Sequence, residues 1–232
     1  MKRVLVTGSS GFIGRHAVPE LVKLGYEVHA VDLRPSPAAA TNVFAHGTNL
    51  LDAEQVGELV RHVRPTHLLH FAWYAEHGKF WTSPLNLDWV AASTALAKAF
   101  VEAGGRRAVF AGTCAEYDWS AGGFLNETRT PTNPRTLYGV CKNGLRQVVQ
   151  AYGAQAGVSV AWARVFFLYG PDEHPNRLIP SIVRPMLAGQ RAVVRSGAHV
   201  RDLLHVEDVA GAFVRLLDTE VSGTVNIASG EP

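Results

Sequence analysis

Tyr138 and Lys142 are the residues whose types and spacing first suggest chemistry. They lie four positions apart in TLYGVCKNGL, which has helical patterning, so their side chains share one face of the predicted helix. A phenol has a pKa of about 10, and a nearby ammonium lowers it by stabilising the phenolate. Such a pair can act as a general acid and base. Taken alone, the pair is better explained as two surface neighbours, so its context decides.

Three glycines near the amino terminus form a second stretch of chemical interest. Gly8, Gly11 and Gly14 in VTGSSGFIGRH follow the short apolar run 4–6 and open the helical pattern of residues 12–24. This order predicts a strand, a turn and a helix. Glycine lets the backbone approach a ligand closely, and the free N–H groups at a helix start favour an anion. The stretch therefore predicts a phosphate-binding turn.

Asp32 strengthens the prediction of a dinucleotide site. It ends the second predicted strand, about 20 residues after the turn, where a carboxylate can accept both hydroxyls of an adenosine ribose. This placement favours NAD, because the carboxylate would repel the 2′-phosphate of NADP. Arg34 could pair with such a phosphate, so NADP stays the second choice. An acid that caps an ordinary turn is the alternative interpretation of Asp32.

The elements that must position these groups alternate between strand and helix, which is typical of a parallel sheet covered on both faces. We predict an α/β fold with a doubly wound Rossmann sheet. A dinucleotide-binding domain would span residues 1–165, and residues 166–232 would form a small substrate lobe whose strands and helix return to the core. The predicted strands are 3–7, 27–32, 67–72, 107–112, 158–166 and 224–228, and the clearest helices are 52–63, 87–103 and 137–155.

Composition excludes several function classes. The 232 residues carry a net charge of +2, which is too small to indicate a nucleic-acid-binding protein. Cys114 and Cys141 have neither metal-site nor disulfide-framework spacing, so we predict no metal and a reducing, cytoplasmic location. No leader pattern or membrane-spanning apolar run is present, so no membrane association is expected.

Positive charge is concentrated late in the chain. Between His174 and Arg201 there are five arginines and no acid, at positions 177, 184, 191, 195 and 201. Two interpretations explain this segment equally well: a solvated surface with scattered charges, or a diphosphate-binding site on the substrate lobe.

With these motifs in place, the chain resembles the extended short-chain dehydrogenase/reductases, in the group of nucleotide-sugar epimerases, dehydratases and ketoreductases. TGSSGFIG resembles the TGxxGxxG loop of the family, HFAW at 70–73 its strand-four segment and YGVCK its YxxxK pair. RVFFLYGP and RDLLHVEDVA resemble its later landmarks. The matches run in order along nearly the whole chain, so they are specific to the superfamily but not to one substrate.

The resemblance implies a catalytic triad of Thr113, Tyr138 and Lys142. Thr113, in AGTCAEYD, resembles the residue that hydrogen-bonds the reacting sugar oxygen. Tyr138 would exchange a proton with that oxygen, Lys142 would hold the nicotinamide ribose, and hydride would pass between cofactor and sugar. A strand-end threonine bonded to local backbone is the alternative for Thr113.

The resemblance also implies the binding residues. Asn49 and Leu50 resemble an adenine-contacting Asp-Leu pair, and Arg201 resembles the arginine that contacts the substrate diphosphate. The predicted substrate residues are Thr113 and Arg201, and the predicted cofactor residues are Gly8, Gly11, Phe12, Ile13, Gly14, Asp32, Arg34, Asn49, Leu50, Ala72, Tyr138 and Lys142. A homodimer through the helices near 87–103 and 137–155 is implied as well, although the monomer's own sheet could cover those faces.

Two departures from the family pattern reduce the number of reactions that the chain is expected to catalyse. Dehydratases of the family follow the threonine with Asp-Glu, but this chain has Cys114 and Ala115. Glu116 comes one position late, and on a continuing strand its side chain would point to the other face. We therefore exclude 4,6-dehydration. Trp73 is large where the family has a small residue, and with the nearby aromatic residues it predicts either core or a wall of the sugar pocket.

These observations predict NAD(H)-dependent reduction of a 4-keto-6-deoxy nucleotide sugar. The alternative enzyme is a nucleotide-sugar 4-epimerase, and the alternative of another class is a non-catalytic dinucleotide-binding sensor or scaffold. The chain ends at NIASGEP, where the resemblance implies a further helix and more of the substrate lobe. We therefore expect that lobe to be truncated.

Overall fold

The computed structural model describes residues 2–35, 40–194, 197 and 200–231. Its strands are β1 (Arg3–Thr7), β2 (Glu27–Asp32), β3 (Val43–Gly47), β4 (His67–His70), β5 (Arg107–Thr113), β6 (Ser159–Val165), β7 (Phe167–Tyr169), β8 (Leu203–His205) and β9 (Gly223–Ile227). Seven of them form one parallel sheet in the order β3-β2-β1-β4-β5-β6-β9, and β7 pairs with β8 in a small parallel ribbon.

Helices cover both faces of the sheet. They are α1 (Gly14–Lys23), α2 (Ala53–Val63), α3 (Leu85–Glu102), α4 (Leu137–Ala156), α5 (Leu178–Leu187) and α6 (Val206–Asp218). α1 and α6 pack together over one apolar layer, and α2, α3 and α4 pack over the other. This is the doubly wound Rossmann arrangement, so the predicted fold class is confirmed.

The central strands have the composition that two covered faces require. Val4, Leu5 and Val6 of β1 are fully buried, with the odd and even positions in opposite layers. Strands that are buried on both faces have nearly continuous apolar sequences. The strand order places the carboxyl ends of β1 and β4 side by side, and this edge is where an α/β sheet opens a crevice for a ligand.

Three strands were missed by the sequence analysis. β3 buries only Val43, and none of the three residues of β7 or of β8 is fully buried, so their sequences lack a clear apolar pattern. β3 forms because it pairs with the free edge of β2 over five residues. The strand predicted for 67–72 ends at His70, after which the chain turns into the cavity described below.

Among the described residues, no helix has both the length and the apolar character that crossing a bilayer requires. Within the same part of the chain, no three His, Cys, Asp or Glu side chains are grouped as metal ligands would be.

Candidate active site

A cavity of about 710 Å³ opens at the carboxyl edge of the sheet. It brings together residues that are as much as 195 positions apart in sequence, from Gly8 to Leu203. Of the predicted site residues, Gly8, Gly11, Phe12, Ile13, Gly14, Ala72, Thr113, Tyr138, Lys142 and Arg201 line it. Asp32, Arg34, Asn49 and Leu50 are not in its lining. The three residues of the predicted triad therefore share one cavity.

The glycine turn is shaped by close backbone approaches. Gly8 has φ +69°, and a Cβ there would lie 2.9 Å from the backbone nitrogen of Ala72. A Cβ on Gly14 would lie 2.2 Å from the carbonyl oxygen of Gly8. α1 begins after Ile13 without a capping side chain and with no acid in its first turn, so its opening N–H groups can take an anion. The turn therefore fits the diphosphate of a dinucleotide.

Replacing Gly14 with alanine should destabilise the protein by about 1–3 kcal/mol, because the added methyl overpacks the turn. Gly144 supplies the matched control: it is also helical, but a Cβ there meets nothing within 4 Å. Gly144→Ala should therefore stabilise the protein by about 0.5–1 kcal/mol. Urea unfolding measures both changes. Equal stabilities for the two variants would contradict the close approach at Gly14.

Asp32 lies beside the glycine turn and is held by it. The Ser9 hydroxyl and the Ser10 backbone N–H donate to its carboxylate, the latter at 3.0 Å. Asn49 follows the neighbouring strand and is exposed, with its side-chain oxygen accepting from the Leu51 N–H at 3.1 Å. Leu50 is buried, and Arg34 is exposed. None of these four residues is part of the cavity lining.

Lys142 is buried on α4, with 3% of its surface exposed. Its ammonium donates to the carbonyl oxygen of Ala111 at 2.9 Å and lies 3.8 Å from the ring centre of Trp73. Burial lowers the pKa of Lys142 to about 7, and the negative charge of Glu116 acts in the opposite direction.

Tyr138 has a pKa well above its ordinary value. Burial is the main cause, and the neighbouring Thr113 hydroxyl opposes it. The net direction is therefore opposite to the lowering expected from Lys142, because burial of the phenol dominates and the ammonium is directed at Ala111 and Trp73. Tyr138 therefore keeps its proton at neutral pH.

Thr113 stands where β5 ends and a 3₁₀ turn, Cys114–Glu116, begins. Its hydroxyl accepts from the Ala115 N–H at 3.2 Å, and its own N–H donates to Glu116 Oε1 at 2.9 Å. The strand-like continuation expected at Glu116 is wrong, because the chain turns here. The turn carries the Glu116 carboxylate away from the cavity lining and under the end of β5.

Glu116 is fully buried in a charged network that the sequence did not predict. Its carboxylate accepts from Trp162 Nε1 and from Arg164 Nε, both at 2.8 Å, and Arg146 Nε lies 3.9 Å away. The Arg164 guanidinium also stacks over the Tyr117 ring at 4.3 Å. The network ties the turn that carries Thr113 to β6 and α4.

Aromatic side chains surround Tyr138. The rings of Phe80, Trp81 and Trp73 lie 4.8, 5.7 and 6.4 Å from its ring, and all three line the cavity. The Tyr138 backbone N–H donates to the carbonyl of Trp81 at 3.1 Å. Of the two alternatives, core or pocket wall, the structure places these residues in the wall, although Phe80 is also buried.

Arg201 reaches the cavity from the carboxyl-terminal part of the chain. Its guanidinium lies 4.8 Å from the Phe167 ring and 5.9 Å from the Trp119 ring. Among the other arginines of the late segment, Arg177 also lines the cavity, whereas Arg184 and Arg191 are exposed. Arg195 lies outside the described residues. The late positive charge is thus partly at the cavity and partly on the surface.

Two polar residues that are not among the predicted site residues lie at or near the cavity. Glu173 lines the cavity and is 7% exposed, and its Oε2 has no hydrogen-bond partner among the described residues. Burial raises the pKa of this carboxyl. Asn86 is fully buried and holds the aromatic wall by accepting from Trp73 Nε1 at 2.8 Å. A lone acid or amide carries no sequence signal for such contacts.

The model of the NAD dependent epimerase/dehydratase family matches residues 4–228. The chain belongs to this family. The resemblance seen in the sequence is therefore confirmed, and so is the prediction of NAD as cofactor.

Relatives within the epimerase/dehydratase family differ in the reactions for which they are named. The chain is 27% identical over 235 residues to a dTDP-6-deoxy-L-talose 4-dehydrogenase (NAD(+)) of Aggregatibacter actinomycetemcomitans, with 99% of this chain and 85% of that protein covered. It is 27% identical over 249 residues to a UDP-glucose 4-epimerase of Rhizobium meliloti, with 97% and 75% covered. These relatives support nucleotide-sugar chemistry without separating dehydrogenation from epimerisation.

A solved structure of the family is also similar throughout the chain. The UDP-glucose 4-epimerase of Thermus thermophilus, in complex with NAD, superposes with a TM-score of 0.85 at 28% identity. The superposition covers 99% of this chain and 78% of the epimerase.

Proposed function

We propose that the protein reduces a 4-keto-6-deoxy nucleotide sugar with NADH. The observation that carries the proposal is the composition of the cavity around Thr113. Tyr138 and Lys142 line the same cavity as Thr113, while Cys114 and Ala115 stand where removal of water would need an acid and a base. Burial raises the pKa of the Cys114 thiol to about 12, so it is not an acid–base substitute at neutral pH.

Tyr138 supplies the proton of the reduction. When bound, NADH supplies a hydride to C4 of the sugar. As the C4–O4 double bond becomes single, O4 gains negative charge and takes the proton of the Tyr138 phenol, so a secondary alcohol forms and a phenolate remains. The Thr113 hydroxyl would hold O4, and Lys142 would hold the nicotinamide ribose. The raised pKa of Tyr138 suits a residue that starts the reaction as an acid.

The cofactor and the substrate are assigned to two different groups of residues. The glycine turn takes the cofactor diphosphate, and Asp32 beside it selects NAD over NADP by its negative charge. Arg201 and Arg177 line the cavity and would bind the diphosphate of the nucleotide sugar. The similarity to a 4-dehydrogenase of a dTDP-6-deoxy sugar supports this class of substrate.

Leu87, Val140 and Val148 are exposed on α3 and α4, which supports a homodimer through these helices.

A 4-epimerase is the second candidate, favoured by the similarity to the Thermus UDP-glucose 4-epimerase. In an epimerase, the keto sugar must rotate within the cavity after it is oxidised and before it is reduced again. The wall formed by Trp73, Phe80 and Trp81 around Tyr138 narrows that space. This is why reduction is preferred.

The first experiment is to denature the purified protein and identify the released dinucleotide by mass spectrometry, with its stoichiometry and oxidation state. A reductase exchanges cofactor in each cycle, so we expect little released dinucleotide, tight rebinding of NADH and weak binding of NADPH. NADH oxidation on addition of a 4-keto-6-deoxy nucleotide sugar should follow. Near-stoichiometric NAD, with interconversion of C4 epimers without added cofactor, would instead show the epimerase.

A further inference from the structure

Lys142 carries a buried ammonium that has no carboxylate partner in the part of the chain that the structure describes. Only 3% of its surface is exposed, and among the described residues no carboxylate oxygen lies within 4.0 Å of Nζ. Its hydrogen-bond acceptor in the protein is the Ala111 carbonyl, at 2.9 Å. A buried charge with one neutral acceptor is costly to keep, so a further favourable contact is needed.

The face of the Trp73 indole provides that contact. Nζ lies 3.8 Å from the ring centre, well inside the range in which a cation is attracted to an aromatic face. Tryptophan is the strongest aromatic partner for a cation, and the attraction is largest where water is excluded. Trp73 therefore replaces part of the hydration that Lys142 loses by burial.

The indole is itself fixed in place. Its Nε1 donates to Asn86 Oδ1 at 2.8 Å, and the Asn86 amide donates to the carbonyls of Phe80 and Ser83 at 2.7 and 2.8 Å. Trp89 of α3 packs beside it, with ring centres 6.1 Å apart. Because Asn86 is fully buried, rotation of the Trp73 indole would leave Asn86 Oδ1 without its hydrogen-bond donor.

An ammonium has three N–H donors. The Ala111 carbonyl takes one, and the indole face occupies a second. We propose that Trp73 is a positioning residue for Lys142, holding the ammonium so that one N–H is left for a ribose hydroxyl of the dinucleotide. This rests on the proposed function, in which Lys142 holds the nicotinamide ribose. The large residue at position 73 is thereby given a role beyond narrowing the sugar pocket.

The charged and titratable groups around Lys142 set the sign of the expected effect. Glu116, on the 3₁₀ turn, raises the pKa of Lys142, whereas burial lowers it. His70 of β4 is neutral, because burial lowers its pKa to about 3, and Tyr138 of α4 is a neutral phenol. Removing the indole face takes away a contact made only to the charged lysine. The pKa of Lys142 should therefore fall further.

The test is a titration of Lys142 by NMR of ¹³C-labelled lysine Cε, with no dinucleotide added and the resonance assigned by its loss in Lys142→Arg. In Trp73→Leu the pKa of Lys142 should lie about one unit below that of the unmodified protein. Trp73→Phe keeps a smaller aromatic face and should give a smaller fall. Trp89→Leu removes the neighbouring indole, which does not cover Nζ, and because the hydrogen bond to Asn86 still holds Trp73, the pKa of Lys142 should shift much less than in Trp73→Leu.

NADH affinity gives a second readout. If only the charged lysine binds the ribose, a pKa falling from about 7 to about 6 weakens apparent NADH binding about eightfold at pH 7.5 and only about twofold at pH 6. If Trp73 served only to support the shape of the cavity, its replacement would weaken binding equally at both pH values. An equal weakening would therefore overturn the proposal.

An unshifted Lys142 titration in folded Trp73→Leu and Trp73→Phe, or an equal shift in Trp89→Leu, would also overturn the proposal. If the leucine variant does not fold, the phenylalanine variant decides. Because the titration needs no substrate, a failure to reduce any keto sugar would refute the proposed function while leaving this result intact.

Discussion

Tyr138→Phe should lower kcat for reduction of the keto sugar by about 10²- to 10⁴-fold, the usual contribution of a positioned general acid. The substitution removes only the hydroxyl that would give its proton to O4 in the proposed reaction. The ring keeps its contacts with Phe80 and Trp81, and Lys142 keeps its contact with Ala111. The dissociation constant for NADH should therefore change by less than about twofold. Steady-state kinetics and a fluorescence titration with NADH measure the two quantities.

Tyr152→Phe is the matched control for Tyr138→Phe. Tyr152 lies on the same helix, fourteen positions further along, and does not line the cavity. Its replacement should leave kcat unchanged. If Tyr138→Phe also kept full turnover, the phenol would not be the acid. If no turnover were found for the unmodified protein, although it binds NADH, the sensor or scaffold alternative would gain support.

Glu116→Gln should lower the free energy of unfolding by about 3–5 kcal/mol, the range for removing one partner of a buried ion pair. Glutamine keeps the size of the side chain and can still accept from Trp162 Nε1 and from the Thr113 N–H. It leaves the Arg164 guanidinium, which is 1% exposed as a residue, without its counter-charge. Urea unfolding with a fitted midpoint and slope measures the decrease.

The control for Glu116→Gln is Glu102→Gln at the end of α3. Glu102 also faces a cation, Lys98 at 3.5 Å, but both side chains are mostly exposed. Exposed pairs contribute little to stability, so the urea midpoint should stay within error of the unmodified protein. Equal midpoints for the two variants would mean that Glu116 is not paired with Arg164 in solution.

Local patterns were sufficient to predict six of the seven strands of the large sheet and the glycine turn. The apolar run at 4–6, the glycines at 8, 11 and 14 and the acid at 32 each express a requirement of a short chain segment: burial on both faces, close backbone approach and a strand end. Such requirements appear directly as residue types. The short strands β3, β7 and β8 were missed because pairing with a neighbour, rather than their own composition, makes them strands.

The sequence by itself determined the fold class, the family and the pairing of Tyr138 with Lys142 on one helical face, because each depends on spacing along the chain. Only the tertiary structure decided the surroundings of those groups. It placed the Trp73 face on Lys142, Glu116 beneath Thr113 and Arg201 at the cavity wall. The physical reason is that desolvation and charge contacts depend on which distant segments meet, and these set the pKa of Tyr138 opposite to the direction that spacing alone suggested.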